Sequence, residues 1–148
     1  MIFYTEVYRF MNMNTKKQSV SDGKGLKKNN FLFEKWPLKE ENFRQIVEKI
    51  QDTIYVADLH GNFLYMNPVG LQILECSAEE LYQKNYIDFF PDEYKQQAFD
   101  FYSNQLKNRQ DKTYQEIPIL CKDKSLLWFG QNVIRVEEND QVYFYGLA

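Results

Sequence analysis

The chain has 148 residues, a net charge of −3 and an aromatic content of 17%, enough for one domain whose core is dominated by large rings. The charge offers no general basic field for a nucleic acid, and no apolar run approaches the ~20 residues that span a bilayer. Cys76 and Cys121 stand far apart with no C-x-x-C pattern, so free thiols in a reducing cytoplasm are expected, not a disulfide framework or a zinc site. The first ten residues are apolar but broken by Glu6 and Arg9, a poor signal peptide. Met1–Met13 alternates loosely, as a strand or a short helix would, and Met11 and Met13 are alternative starts. Asn14–Asn30 is rich in Lys, Asn, Ser and Gly, a composition that cannot offset the entropy of ordering. Residues 1–38 are therefore expected to be an N-terminal extension and flexible linker, with Pro37 at the boundary.

From Lys39 to Gln51 an amphipathic helix is expected, opened by Glu40-Glu41. Its apolar stripe is Phe43, Ile46, Val47 and Ile50, at i, i+3, i+4 and i+7. Two β-rich runs follow, Thr53–Ala57 and Phe63–Met66, around an Asp58–Asn62 turn in which Gly61 is free to take positive φ. Asn67-Pro68 stops the second run. Asn67 can cap a helix and Pro68 can occupy its first position. That helix is expected over Val69–Glu75, with Leu71 and Leu74 inward. Ser77-Ala78-Glu79-Glu80 forms a capping box that starts a short helix through Tyr82. Tyr86–Phe90 is a brief turn closed by Pro91-Asp92. The longest helix is expected over Asp92–Asn108, with Tyr94, Ala98, Phe101, Tyr102 and Gln105 on one face.

Three strands close the chain, Thr113–Cys121, Leu126–Val136 and Gln141–Ala148, joined by polar turns as in an antiparallel meander. Pro118 cannot donate to a ladder, which makes the first of them an edge strand. Alternation puts Tyr55, Ala57, Ile117, Ile119, Phe129, Gln131, Phe144 and Gly146 on one face of the sheet. The opposite face carries Ile54, Val56, Trp128, Tyr143, Tyr145 and Leu147. An apolar face of that size needs a cover, either the Phe43–Ile50 helix or a partner chain.

Catalytic signals are missing from the sequence. The single histidine, His60, sits in the first turn, and no P-loop, Gly-x-Gly-x-x-Gly or His-x-x-x-His is present. Cys76 and Cys121 are either redox switches or small buried apolar residues, and only a lowered pKa with exposure would favour the first.

The order of Asp58, Gly61, the Phe63–Met66 strand and Asn67-Pro68, followed by the short helices, the long helix and the meander, resembles a PAS domain (sensory box) of a bacterial signalling protein. The resemblance runs from about Glu40 to Ala148, with the domain taken as residues 39–148. It implies an α+β fold with a five-stranded antiparallel sheet in the order 2-1-5-4-3, in which the Pro118 strand is an edge. It also implies that the first face looks onto Leu71, Leu74, Tyr86, Phe89, Phe90 and Tyr102. Together these residues either fill a core or line a cavity for a small, mostly apolar ligand. In the second case Ala57 and Gly146 leave the room, and Gln131, Tyr86 or Tyr102 supply the polar contacts. With no Lys or Arg expected on the inward face, the ligand would be neutral or weakly anionic.

The function implied is a non-catalytic, cytoplasmic sensory or dimerisation domain. It would form a homodimer through Phe43, Ile46, Val47, Ile50, Ile54, Val56, Trp128, Tyr143 and Tyr145. It would signal to an output module, most often a histidine kinase, sometimes a diguanylate cyclase or a transcription regulator. A pure protein-interaction module with a filled core, and a redox sensor through Cys76 or Cys121, are the alternatives. No cofactor, metal, nucleic acid or membrane contact is expected. Haem-binding relatives use a histidine on the long helix, and Asp92–Arg109 has none. The light-sensing flavin branch carries Asn-Cys where this chain has Asn85-Tyr86, and its flavin-facing amides align with Ile119, Phe129 and Ala148. Glu75 stands where a Gly often precedes Ser77, and Asp123-Lys124 where Asp-Gly is common. The family continues beyond the last strand into a helix near an Asp-x-Thr motif that is missing here, so output chemistry is expected to lie outside these residues or to be absent.

Overall fold

The computed structural model describes residues 40–148; the extension and linker expected over 1–38, and Lys39, lie outside the described residues. The chain divides into two units between Glu48 and Lys49. α1 spans Glu40–Lys49 and belongs to the first unit up to Glu48; it is shorter than expected at its C-terminal end. Arg44 holds both oxygens of Glu41 at 2.7 and 2.8 Å, an exposed i, i+3 pair of small energetic weight. Val47 is buried, Phe43 and Ile50 are half-buried, and Ile46 is exposed.

In the second unit the five strands are β1 (Ile54–Asp58), β2 (Phe63–Met66), β3 (Lys112–Leu120), β4 (Leu126–Glu138) and β5 (Gln141–Leu147). They form one antiparallel sheet in the order β2-β1-β5-β4-β3, the order expected, with Pro118 on an edge strand. β1 faces β2 through a bulge: Val56 opposes Tyr65 but Ala57 opposes Phe63, so Leu64 is the extra residue. β4 runs to Glu138, beyond the expected Val136. The connection is only Asn139-Asp140, whose φ values of 49° and 62° match the two-residue hairpin turn that suits strand twist. Within the strand as expected there is a correction: Arg135 alternates with Gln131 and Val133 onto the inward face, opposite Phe144, where no cation was expected. Its side chain is 10% exposed and bonds Glu137 at 2.6 Å.

Local chemistry sets the helices. Asn67 caps α2 (Pro68–Ile73): its Oδ1 accepts from Gly70 N at 3.1 Å and Ile54 N at 3.0 Å, while Nδ2 donates to Asp52 O at 2.9 Å. One buried amide thus joins the helix start to the first strand. α2 starts at Pro68 and ends before the expected Glu75, because Glu75 adopts φ 51°. Its N–H reaches Gln72 O, and that of Cys76 reaches Leu71 O, a Schellman closure without glycine. Ser77 and Glu80 cap α3 (Ala78–Leu81) reciprocally, as the capping box foretold. Asn85 and Asp88 do the same for a 3-10 turn over Tyr86–Phe89. The long helix, α4, spans Asp92–Lys107. It closes like α2, with Arg109 at φ 50° donating to Leu106 O and Gln110 N to Gln105 O. The core lies between the inner sheet face and these helices, built on Tyr55, Phe63, Met66, Leu74, Leu81, Phe90, Ala98, Ile117 and Ile119.

Candidate functional site

The site begins in the β1–β2 turn. Asp58 Oδ1 accepts from the amides of His60 and Asn62, both at 2.8 Å, and its Oδ2 from Asn62 Nδ2 at 2.9 Å. Gly61, at φ 84°, donates to Asp58 O at 3.0 Å. The positive φ and the absent side chain are both used here, because the ring of Tyr86 lies where a β-carbon would be. Tyr86 N donates to Gly61 O at 2.9 Å, and Asn85 Nδ2 bonds His60 O at 2.8 Å and Asn62 Oδ1 at 3.1 Å. Turn and 3-10 segment are therefore locked together, and residues 59–61 stand as a wall facing α4.

Between that wall and α4 is a pocket of about 300 Å³. Its floor is Tyr55 and Ala57 of β1 and Phe144 of β5; Leu59, His60, Gly61 and Tyr86 form one side, and Phe99, Tyr102, Ser103 and Leu106 the other. A second void of about 40 Å³ lies deeper, among Thr53, Tyr55, Phe63, Met66, Leu74, Tyr86, Phe89, Phe90, Tyr102, Ile119, Phe129 and Gln131. Tyr55, Tyr86 and Tyr102 line both, so these three side chains form the partition. Two of them are tied to Gln131 in a closed ring. Tyr55 donates to Gln131 Oε1 at 2.8 Å, Gln131 Nε2 donates to the Tyr102 oxygen at 3.0 Å, and the two hydroxyls are 3.2 Å apart. With the Tyr102 proton directed at Tyr55, each of the three groups donates once and accepts once. Burial pushes the Tyr55 hydroxyl well above the usual tyrosine pKa, with Tyr102 adding to it. Burial also raises Tyr102, and takes Tyr86 up to about 12. All three phenols are protonated at neutral pH.

Of the residues singled out from sequence, Tyr55, Ala57, Tyr86, Tyr102 and Phe144 line the larger pocket. Leu74, Phe89, Phe90, Ile119, Phe129 and Gln131 surround the small void. Leu71, Ile117 and Gly146 line neither: Ile117 is 1% exposed, Leu71 packs against the core, and the Tyr55 ring covers Gly146. Leu59, His60, Gly61, Phe99, Ser103 and Leu106 were missed. Strand alternation says nothing about a turn, which hid the first three. The others had a signal, since Phe99, Tyr102, Ser103 and Leu106 recur at i, i+3, i+4 and i+7. That stripe adjoins the core-facing one through Tyr102.

On the outer face Val56 is buried between its cross-strand neighbours Tyr65 and Tyr145. Ile54, Tyr143 and Tyr145 are half-buried, and Trp128 is exposed but meets the Tyr94 ring edge-on at 6.1 Å. Burial raises the Cys76 thiol, and Glu80 adds to this, which opposes a reactive thiolate. Among the described residues no group of three or more metal-ligating side chains comes together, and no helix is long and apolar enough to cross a membrane.

The family model described as PAS fold matches residues 41–147. Solved structures share the architecture. A PAS domain from a two-component sensor histidine kinase gives a TM-score of 0.59 at 12% identity, covering 70% of this chain and 87% of that one. A PAS domain from Colwellia psychrerythraea gives 0.63 at 16%, covering 72% and 92%. A domain of a sensory box sensor histidine kinase/response regulator from Geobacter sulfurreducens gives 0.61 at 13%, covering 80% and 96%. At such identities the likeness is one of fold. No curated protein sequence matches the chain. With the family model reaching from α1 through β5, the chain belongs to the PAS family of sensory signalling modules, a family found in histidine kinases.

Proposed function

We propose that this domain is a non-catalytic cytoplasmic sensor that holds a small organic ligand between the β1–β2 turn and α4 and signals to an output module such as a histidine kinase. The observation that carries this reading is the pocket of about 300 Å³, rimmed by Leu59 and Phe99, which are 43% and 55% exposed. Apolar side chains held open to water at the mouth of a preformed concavity are surface that a ligand would cover. Two of the structural neighbours are named as sensor histidine kinases, which supports the choice of output.

Neither haem nor flavin is part of this reading. α4 has no histidine to ligate haem. The void beside Ile119, Phe129 and Gln131 is about 40 Å³, against ~30 Å³ for one water in the liquid, and the Gln131 amide is already engaged by Tyr55 and Tyr102. The purified protein should be colourless; a Soret band or stoichiometric flavin absorption would count against this. A homodimer is assigned to the outer sheet face, with the α1 stripe as a second apolar surface. Ile54→Asp and Ile46→Asp test them separately by light scattering, and an unchanged mass in both removes the assignment.

The pocket is tested by a thermal-shift screen of metabolites on the intact chain and on Ala57→Leu, which fills the floor. A ligand at ~100 times its Kd stabilises by ~2.7 kcal/mol, a shift of several degrees, and Ala57→Leu should abolish it. If wild type shows no shift with any compound, the reading as a filled interaction module wins. The closed Tyr55–Gln131–Tyr102 ring is the observation that favours that alternative.

A further inference from the structure

We propose that the pocket selects an uncharged aromatic molecule of about two fused rings. This rests on the pocket reading above and adds the chemistry of the occupant. Five of the lining side chains are aromatic: Tyr55, Tyr86, Phe99, Tyr102 and Phe144. Tyr102 meets Tyr86 at 4.6 Å between ring centroids and Phe144 at 6.1 Å, with interplanar angles of 66° and 70°. Rings tilted in this way turn a face of one and an edge of the next toward the same space. A flat ring placed among them continues the edge-to-face pattern, which a saturated ring cannot do.

Charge and size narrow the class further. No Asp, Glu, Lys or Arg lines the pocket, so an ionised ligand would lose hydration with no permanently charged side chain to meet it. Arg135, the cation on the inner face, is outside the lining and bound to Glu137. The polar side chains that remain, besides the tied Tyr55 and Tyr102, are those of His60, Tyr86 and Ser103. None of the three makes a side-chain hydrogen bond among the described residues. They suit one or two polar atoms on the rim of the ligand. An engineered apolar cavity of ~150 Å³ takes benzene, and twice that volume takes a second ring.

The test is calorimetric titration of the intact chain at neutral pH with three probes of one skeleton: naphthol, its saturated counterpart decalol, and naphthoate. Naphthol should bind at least about tenfold more tightly than either of the others, and Ala57→Leu should abolish its binding. Phe99 is largely exposed, so Phe99→Leu keeps the fold, and it should reduce the preference for naphthol over decalol about threefold. Decalol or naphthoate binding as tightly as naphthol overturns the proposal, as does naphthol binding that survives Ala57→Leu. If naphthol fails while the metabolite screen yields a ligand lost in Ala57→Leu, the aromatic class falls and the pocket reading stands. If both fail, both fall.

Discussion

The ring of Tyr55 lies over Gly146, its cross-strand partner, so closely that a β-carbon on Gly146 would overlap Cε1 and Cζ of the ring. The contact fixes where the Tyr55 hydroxyl points, and so where the hydrogen-bonded ring with Gln131 and Tyr102 can form. Gly146→Ala should cost about 2–3 kcal/mol in denaturant unfolding, since overpacking a core that cannot relax has that scale. Tyr55→Leu in the Gly146→Ala background should recover part of the loss, a non-additivity that reports direct contact. Wild-type stability in Gly146→Ala would mean that the ring is not held there.

Gln131→Leu removes the acceptor for Tyr55 and the donor to Tyr102 in one step. Gln131 is 4% exposed, and the loss should be about 2–3 kcal/mol, with the two phenols left under-bonded. Tyr55→Phe/Gln131→Leu removes two members of the ring together and should fall short of the summed single losses. Additive losses would show that the ring is not a unit.

The buried phenols predict a base-side limit to stability. A tyrosine whose folded pKa is raised binds its proton more tightly when folded, so its contribution is complete below the unfolded value of about 10 and is lost as pH rises through the folded value. Burial pushes Tyr86 up to about 12, and Tyr55 and Tyr102 are raised too. Tm should fall from about pH 10 towards pH 12, and less steeply in Tyr86→Phe. Phenolate absorbance rising fully at pH 10 in the folded protein would contradict this.

Glu75 and Arg109 occupy the left-handed positions that close α2 and α4, at φ 51° and 50°. A side chain there carries strain that glycine lacks, while glycine loses more entropy on folding. The first effect should prevail, so Glu75→Gly and Arg109→Gly should each stabilise by about 0.5–1 kcal/mol, or a few degrees in Tm. A fall in Tm for both would mean that the side chains themselves hold these closures.

Local chemistry is legible in the residues themselves. The Asn67-Pro68 start, the Ser77–Glu80 box, the turn at Gly61 and the edge placement of Pro118 each follow from hydrogen-bonding or φ constraints confined to a few residues. Element ends shifted where such a constraint went unread, as at the Asn139-Asp140 turn, whose two left-handed residues let β4 run on to Glu138.

Sequence alone determined the element order and the face most strand residues take, because alternation and capping are short-range; the bulge at Leu64 was not legible in it. Which small residue leaves space was decided only by tertiary structure. Ala57 and Gly146 are equivalent by pattern, yet the Tyr55 ring covers Gly146, while Ala57 forms part of the open floor. The same holds for the wall made by Leu59, His60 and Gly61, which exists because Asn85 binds His60 across 25 residues and Tyr86 binds Gly61. Side-chain rotamers and contacts between distant segments select among spaces that periodicity leaves equal, and the pocket lies where those long-range contacts leave a gap.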